Sequence, residues 1–89
     1  MQKFYSELEI KENSFKIYNV KISVFPPTPF KMGSWKGIGH VDVRENPLPI
    51  GKMFDTEVGE IIITSFNPSS ETGYISMVQF DGTGDFKDV

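Results

Sequence analysis

Hydrophobic and polar residues alternate along most of this chain, and the longest alternating stretch covers residues 15–25. Its hydrophobic positions are odd-numbered up to Ile17 and even-numbered from Tyr18 onward. Successive side chains of a strand point to opposite faces, so the strand keeps one inner face only if an extra residue is inserted where the parity changes. We therefore predict one long strand with a β-bulge near Tyr18 or Asn19.

The same alternation predicts four further strands, at residues 4–10, 35–43, 58–66 and 74–80. In the first of these, Phe4, Leu8 and Ile10 are expected on the inner face. In the next, Gly37 and Gly39 occupy inner positions without a side chain, which predicts a bend, a bulge or a strand crossing close above.

Three consecutive isoleucines make the strand at residues 58–66 apolar on both faces. Such a run is typical of a strand that is buried on both sides, so this strand is expected to be the most buried. We accordingly expect Ile62→Asp to abolish folding, because an unpaired buried carboxylate costs a large part of a small domain's stability.

The connections between these strands contain proline, glycine and short polar residues, and no segment shows helical periodicity. The predicted fold class is therefore all-β: a small antiparallel barrel of five to six strands, SH3-like or OB-like, or a compact sandwich. With 89 residues, the chain is expected to form a single β domain over residues 1–89. An acidic C-terminal tail is expected from about residue 81, with Phe86 folding back onto the core.

The chain contains no cysteine, which excludes disulfides and thiolate chemistry and favours a reducing compartment. Its first ten residues carry charges and no apolar run, so they predict neither a signal peptide nor a membrane span. The expectation is a soluble, cytoplasmic protein with no membrane partner.

Charge is unevenly distributed along the chain, whose net charge is −3. Residues 1–44 hold seven basic and four acidic residues, a balance of +3, whereas residues 45–89 hold two and eight, a balance of −6. An acidic chain disfavours nucleic acid as a partner, because sequence-independent affinity for phosphates comes from Lys and Arg.

No catalytic motif emerges from the residue pattern. His40, the single histidine, shares a predicted strand face with Asp42, and Ser34 lies upstream. The same face carries Lys36 and Arg44, however, which is typical of an ordinary solvated strand. We therefore predict no catalytic residues and a protein that is not an enzyme.

Metal and phosphate motifs are also weak. Asp81, Asp85 and Asp88 offer too few ligands in the wrong spacing for an EF-hand, and a solvated acidic segment explains them better. The glycine-rich residues 33–39 lack the spacing and the following helix of a phosphate loop. No metal site and no cofactor are predicted.

Twelve aromatic residues, eight Phe, three Tyr and one Trp, are more than so small a core is expected to hide. Several of them cluster with Met and Lys around the proline-rich segment that follows the long strand. The residues predicted to form a binding site there are Phe25, Phe30, Lys31, Met32, Trp35 and Lys36.

Three interpretations of this cluster are open. In the first interpretation, the cluster is a contact surface for another protein, since aromatic residues and Met are enriched in interface cores. Alternatively, its rings stack on the bases of a single-stranded nucleic acid while its lysines follow the backbone. In the third interpretation, Trp35 and Phe30 cap the end of the barrel and bind nothing.

The acidic second half favours the first of these interpretations. We predict a small non-enzymatic protein-interaction module that uses the aromatic and Met patch at residues 25–36. A single-stranded nucleic-acid-binding barrel is the alternative. An edge strand would also allow a homodimer.

Overall fold

The computed structural model describes residues 1–12, 15–42, 49–68 and 75–87. Within these ranges the chain forms strands and no helix. The strands are β1 (Gln2–Ile10), β2 (Phe15–Phe25), β3 (Ser34–Asp42), β4 (Met53–Thr56), β5 (Gly59–Pro68) and β6 (Ile75–Gly82). Arg44 and Asp88 lie outside the described residues, as do position 43 of the strand predicted at 35–43 and position 74 of the strand predicted at 74–80.

The six strands close into one ring in the order β1-β2-β3-β6-β5-β4. The first three strands form one antiparallel meander and the last three form a second. The meanders join along β3 and β6, and again where Ile10 of β1 pairs with Thr56 of β4. The predicted all-β antiparallel barrel is thus confirmed, and its ring excludes the two separate sheets of a sandwich.

The bulge predicted in β2 is present. Tyr18 pairs with His40 of β3, but the next pair joins Lys21 to Ile38, so β2 contains one residue more than β3 in this interval. Asn19 takes up the extra residue with a left-handed φ of 51°. Asn tolerates this conformation better than most residues. The insertion carries the inner face from the odd to the even positions of β2.

The prediction for β1 was wrong at Phe4, which is 72% exposed. Tyr5 packs against the core instead. β1 and β2 pair in an unbroken register that sets Tyr5 opposite Val20 and Leu8 opposite Ile17. Because paired residues share a face of the sheet, the parity change in β2 imposes a matching change on β1.

The two inner glycines of β3 make room for side chains of neighbouring strands. A Cβ atom added at Gly37 would collide with the ring of Phe80, and one added at Gly39 would collide with Ile17. The space is therefore filled by an aromatic ring and a branched aliphatic side chain, so no strand has to cross above β3.

β5 is buried on one face only. Ile61 and Ile63 are fully buried, whereas Ile62 lies on the outer face and is only partly buried. The expectation that Ile62 is a core residue was therefore wrong. A second bulge follows between Ile63 and Ser65, after which Phe66 packs against the core. The β-branched residues on both faces had suggested burial on both sides.

The core inside the ring is almost entirely apolar. Its buried hydrophobic residues are Leu8, Ile10, Ile17, Val20, Ile22, Trp35, Val41, Phe54, Val58, Ile61, Ile63, Val78 and Phe80.

The segment that follows β6 is attached to the barrel. The amide of Thr83 donates to the carbonyl of Glu60 at 2.9 Å, and the amide of Lys87 donates to the carbonyl of Val58 at 2.7 Å. Phe86 packs against the core, as expected. Residues 83–87 therefore form a docked strap across the β4–β5 turn.

Candidate binding surface

The loop between β2 and β3 is a stiff, hydrogen-bonded structure. Thr28 and Lys31 exchange backbone hydrogen bonds of 2.8 and 3.3 Å, and the amide of Phe30 donates to Thr28 Oγ1 at 3.3 Å. Pro29 occupies the second position of this turn, where its fixed φ is favourable. At the base of the loop, a Cβ atom added to Gly33 would lie 2.9 Å from Pro27 Cδ. These contacts and the fixed φ of the prolines restrict the conformations available to the loop.

Large apolar side chains cover the tip and one flank of this loop. Phe30 is 98% exposed, Met32 is 89% exposed and Phe25 is 49% exposed. The Lys36 ammonium lies 5.7 Å from the centre of the Phe25 ring, within range of a cation–π interaction. We call Phe25, Phe30, Lys31, Met32 and Lys36 the proline-loop patch. All of these residues except Phe30 line a concavity of about 470 Å³.

Trp35, the sixth residue predicted for this site, is not part of the patch. It is only 4% exposed, because adjacent strand residues face opposite sides and Lys36 faces outward. Its indole Nε1 donates to the carbonyl of Gly84 at 2.7 Å, and its ring meets Phe86 edge-on with the centroids 5.3 Å apart. Trp35 is a core residue that anchors the C-terminal strap.

A second surface, which the sequence did not reveal, crosses the outer face of the barrel next to this patch. Two rows of paired residues run across β1, β2, β3 and β6: Gln2, Ser23, Lys36 and Asp81 in one, Phe4, Lys21, Ile38 and Gln79 in the other. We call these eight residues the outer groove; all of them except Phe4 line a concavity of about 280 Å³, and Phe4 lies at its border as the cross-strand partner of Lys21. Phe4 escaped detection because the alternation in β1 had assigned it to the core.

Three lysines at these two surfaces differ from three lysines elsewhere on the barrel in their ion pairing. Three lysines elsewhere are engaged in ion pairs: Lys11 with Asp55 at 3.7 Å, Lys16 with Glu7 at 3.3 Å and Lys52 with Glu12 at 3.3 Å. The Glu7 carboxylate also raises the pKa of Lys16. Lys21, Lys31 and Lys36 form no ion pair within the described part of the chain. Their charge is therefore available to a partner.

Ser34 and His40 are too far apart to act together as a nucleophile and its base. Ser34 and His40 lie six positions apart on the same strand, a separation of about 20 Å at the rise of a β-strand. A nucleophile and its base must lie within hydrogen-bond reach. For metals, the described ranges contain no group of three or more His, Cys, Asp or Glu side chains suited to hold an ion.

No protein-family model, curated protein or solved structure matches this chain. None of the residues that the structure describes belongs to a helix long and apolar enough to span a membrane. The fold defines a small, closed antiparallel β-barrel protein. The two exposed surfaces beside its proline-rich loop are the features from which a function has to be inferred.

Proposed function

We propose that this protein is a non-enzymatic protein-interaction module that contacts its partner through the proline-loop patch. The observation that supports this most directly is the near-complete exposure of Phe30 and Met32 at the tip of a hydrogen-bonded turn. Clustered exposed apolar side chains contribute little to folding and are typical of interaction sites. Phe and Met are also among the residues enriched at the centre of interfaces.

The stiffness of the loop supports the same proposal. Pro26, Pro27 and Pro29 restrict the backbone, and the paired amides of Thr28 and Lys31 close the turn. A contact surface that is already ordered before binding loses less conformational entropy on association. Phe30 is thus presented as an anchor for an apolar cleft on the partner.

The charges around the patch predict which charges surround the apolar cleft of the partner. Lys31 and Lys36 flank the apolar residues and form no ion pair among the described residues. We expect carboxylates around the partner's apolar cleft, since complementary rim charges accelerate association and reject other proteins. The proposal includes a cytoplasmic location, and a homodimer through an edge strand stays a prediction.

Affinity capture with quantitative mass spectrometry tests the proposal, using the double variant Phe30→Ala/Met32→Ala as bait. Partners retained by the natural chain should be lost from the double variant. The melting temperature should change little, because neither side chain packs in the core. Ile50→Ala is the matched control, since Ile50 is an exposed apolar residue outside the patch. Capture of the same partners at the same level by the double variant would refute the proposal.

A further inference from the structure

The outer groove has a composition different from that of the proline-loop patch. Across four neighbouring strands, its two rows bring together two lysines, one phenylalanine, two glutamines, one serine, one isoleucine and one aspartate. At a strand spacing of about 4.8 Å, each row is about 14 Å long. That length suits the smallest binding sites of single-stranded nucleic acid on a β-barrel, about four nucleotides.

Each free lysine of the groove has an aromatic ring beside it. Phe4 is the cross-strand partner of Lys21, and Lys36 lies over the ring of Phe25, which borders the groove. Both rings are accessible, at 72% and 49% exposure. Exposed rings next to lysines are the arrangement in which bases stack while the cations follow the phosphates.

The polar members of the groove add hydrogen-bonding capacity. Gln2 and Gln79 each carry an amide with donors and an acceptor, and Ser23 carries a hydroxyl. A polyanion without rings, such as polyglutamate, would also be attracted to the lysines, but it could not stack on the exposed ring of Phe4. The pair of Phe4 and Lys21, which lies outside the proline-loop patch, therefore matches the base and the phosphate of a nucleotide.

The net charge of the chain is less of an obstacle than the sequence suggested. Most acidic residues of the second half that the structure describes, such as Asp55, Glu57 and Glu60, belong to β4, β5 and the turn between them. Asp81 is the acidic residue of the groove, and it pairs across strands with Lys36. Local charge, not net charge, decides whether a phosphate backbone is attracted to this face.

We infer that the outer groove is a second binding site, specific for single-stranded nucleic acid. This site lies beside the proline-loop patch and shares Lys36 with it. It goes beyond the proposed protein-interaction function and does not depend on it.

Fluorescence anisotropy with a labelled dodecamer of deoxythymidine tests this inference. The chain should bind it with an affinity that falls as salt rises, because counterions are released from the phosphates. A dodecamer of abasic residues carries the same phosphates without bases and should bind about tenfold or more weakly, since each stacked base contributes about fivefold or more and the site offers two rings. Equal binding of both oligomers, or equally effective competition by polyglutamate, would overturn the inference and leave a nonspecific anion-binding surface.

Point variants assign the binding to named residues. Phe4→Ala should weaken binding about fivefold or more through lost stacking. Lys21→Gln should reduce the slope of log affinity against log salt by about 0.7. Asp81→Asn should strengthen binding, because it removes a negative charge from the groove.

Two controls separate this site from other effects. Lys52→Gln removes a lysine that pairs with Glu12 away from the groove, and it should leave affinity unchanged. Phe30→Ala/Met32→Ala should also bind the oligonucleotide normally, so the two proposals fail independently. Melting temperatures verify that the variants fold. Unchanged affinity of both Phe4→Ala and Lys21→Gln would contradict the inference.

Discussion

At position 19 the chain requires a residue that tolerates a left-handed backbone, and Asn19 supplies it with a φ of 51°. Asn is among the few residues other than Gly that adopt this conformation readily, because its short polar side chain can form local hydrogen bonds. This single residue lets β2 keep both Ile17 and Val20 inside the barrel. The parity of hydrophobic residues on either side of it made the bulge predictable from the sequence.

Ile62 and Ile63 are neighbours in β5 but differ in burial, so the same substitution should have different effects at the two positions. Ile63→Asp should abolish folding, because it places a carboxylate where the native side chain is fully buried. Ile62→Asp should still fold, because Ile62 faces the outside of the barrel and its new carboxylate remains hydrated.

Circular dichroism and urea denaturation of the two isoleucine variants check this prediction. The pair is well matched, since the substitutions are identical in chemistry and adjacent in sequence. A folded Ile63→Asp, or an unfolded Ile62→Asp, would show that the inner face of β5 has been assigned incorrectly.

For Trp35, the sequence predicted the face of the strand correctly but not the burial of the side chain. Alternation correctly placed it on the same face as Gly37 and Gly39, opposite to Lys36. Its proximity in sequence to Phe30 and Met32 nevertheless suggested a role in binding. Only the positions of Gly84 and Phe86, about fifty residues later in the chain, show that its ring is enclosed.

Among the elements, the strap at residues 83–87 is attached to the barrel through Trp35. Trp35→Phe removes the hydrogen bond to Gly84 and part of the ring that Phe86 packs against. We expect a loss of about 1–2 kcal/mol of unfolding free energy, from the neutral hydrogen bond and the smaller ring. The strap should also detach more often.

Hydrogen exchange measured by NMR detects this detachment at the amide of Lys87, which donates to Val58 in the docked strap. Exchange at Lys87 should accelerate in Trp35→Phe and stay unchanged in Phe30→Leu, a control at an exposed aromatic residue. Unchanged protection at Lys87 in Trp35→Phe would mean that other contacts hold the strap.

β1 shows why local patterns mispredict some elements. Read alone, its even-numbered hydrophobic residues Phe4, Leu8 and Ile10 indicate one continuous inner face. Its register with β2 instead brings Tyr5 inward beside Val20. The orientation of Phe4 thus depends on a bulge in another strand, and no pattern within β1 records it.

For the molecule as a whole, the seam between β1 and β4 is the narrowest part of the ring. Ile10 and Thr56 form the single residue pair of this seam, supported by a hydrogen bond of 2.9 Å from the Lys11 amide to the Asp55 carbonyl. The remaining neighbouring strands are joined by four or more pairs each. Opening of the barrel is therefore expected to begin at this seam.

Thr56→Val tests the β4–β5 turn, which holds the β4 side of this seam in place. Buried Thr56 Oγ1 donates to the carbonyl of Gly59 at 2.7 Å and accepts from the amide of Val58 at 3.2 Å. Valine has the same shape without the hydroxyl, so both groups of the turn lose a partner. The unfolding free energy should fall by about 1–3 kcal/mol.

Thermal unfolding followed by circular dichroism measures the effect of Thr56→Val. Thr64→Val is the control, because Thr64 is an exposed threonine on β5. Equal stability of both variants and the natural chain would show that the hydroxyl of Thr56 does not stabilise the β4–β5 turn.

The distribution of charge is also a property of the whole barrel. Along the sequence, Lys21, Lys31 and Lys36 are separated by other residues and form no basic cluster. The pairing of β2 with β3 brings their part of the surface together, while Lys11 and Lys16 are neutralised by acidic neighbours elsewhere. This arrangement is the reason why we infer a phosphate-binding face on a chain whose net charge is negative.

Properties that depend on neighbours along the chain could be deduced without coordinates. Alternation of side chains is such a property, and it predicted the all-β class, β2 with its bulge and the exposed proline-rich connection. Strand pairing cannot be deduced in this way, because it joins residues that are distant in sequence and depends on how the whole core packs. That pairing determines the order of the strands in the ring, the outward orientation of Phe4, the burial of Trp35 and the proximity of the unpaired lysines. Only the tertiary structure therefore shows these four features.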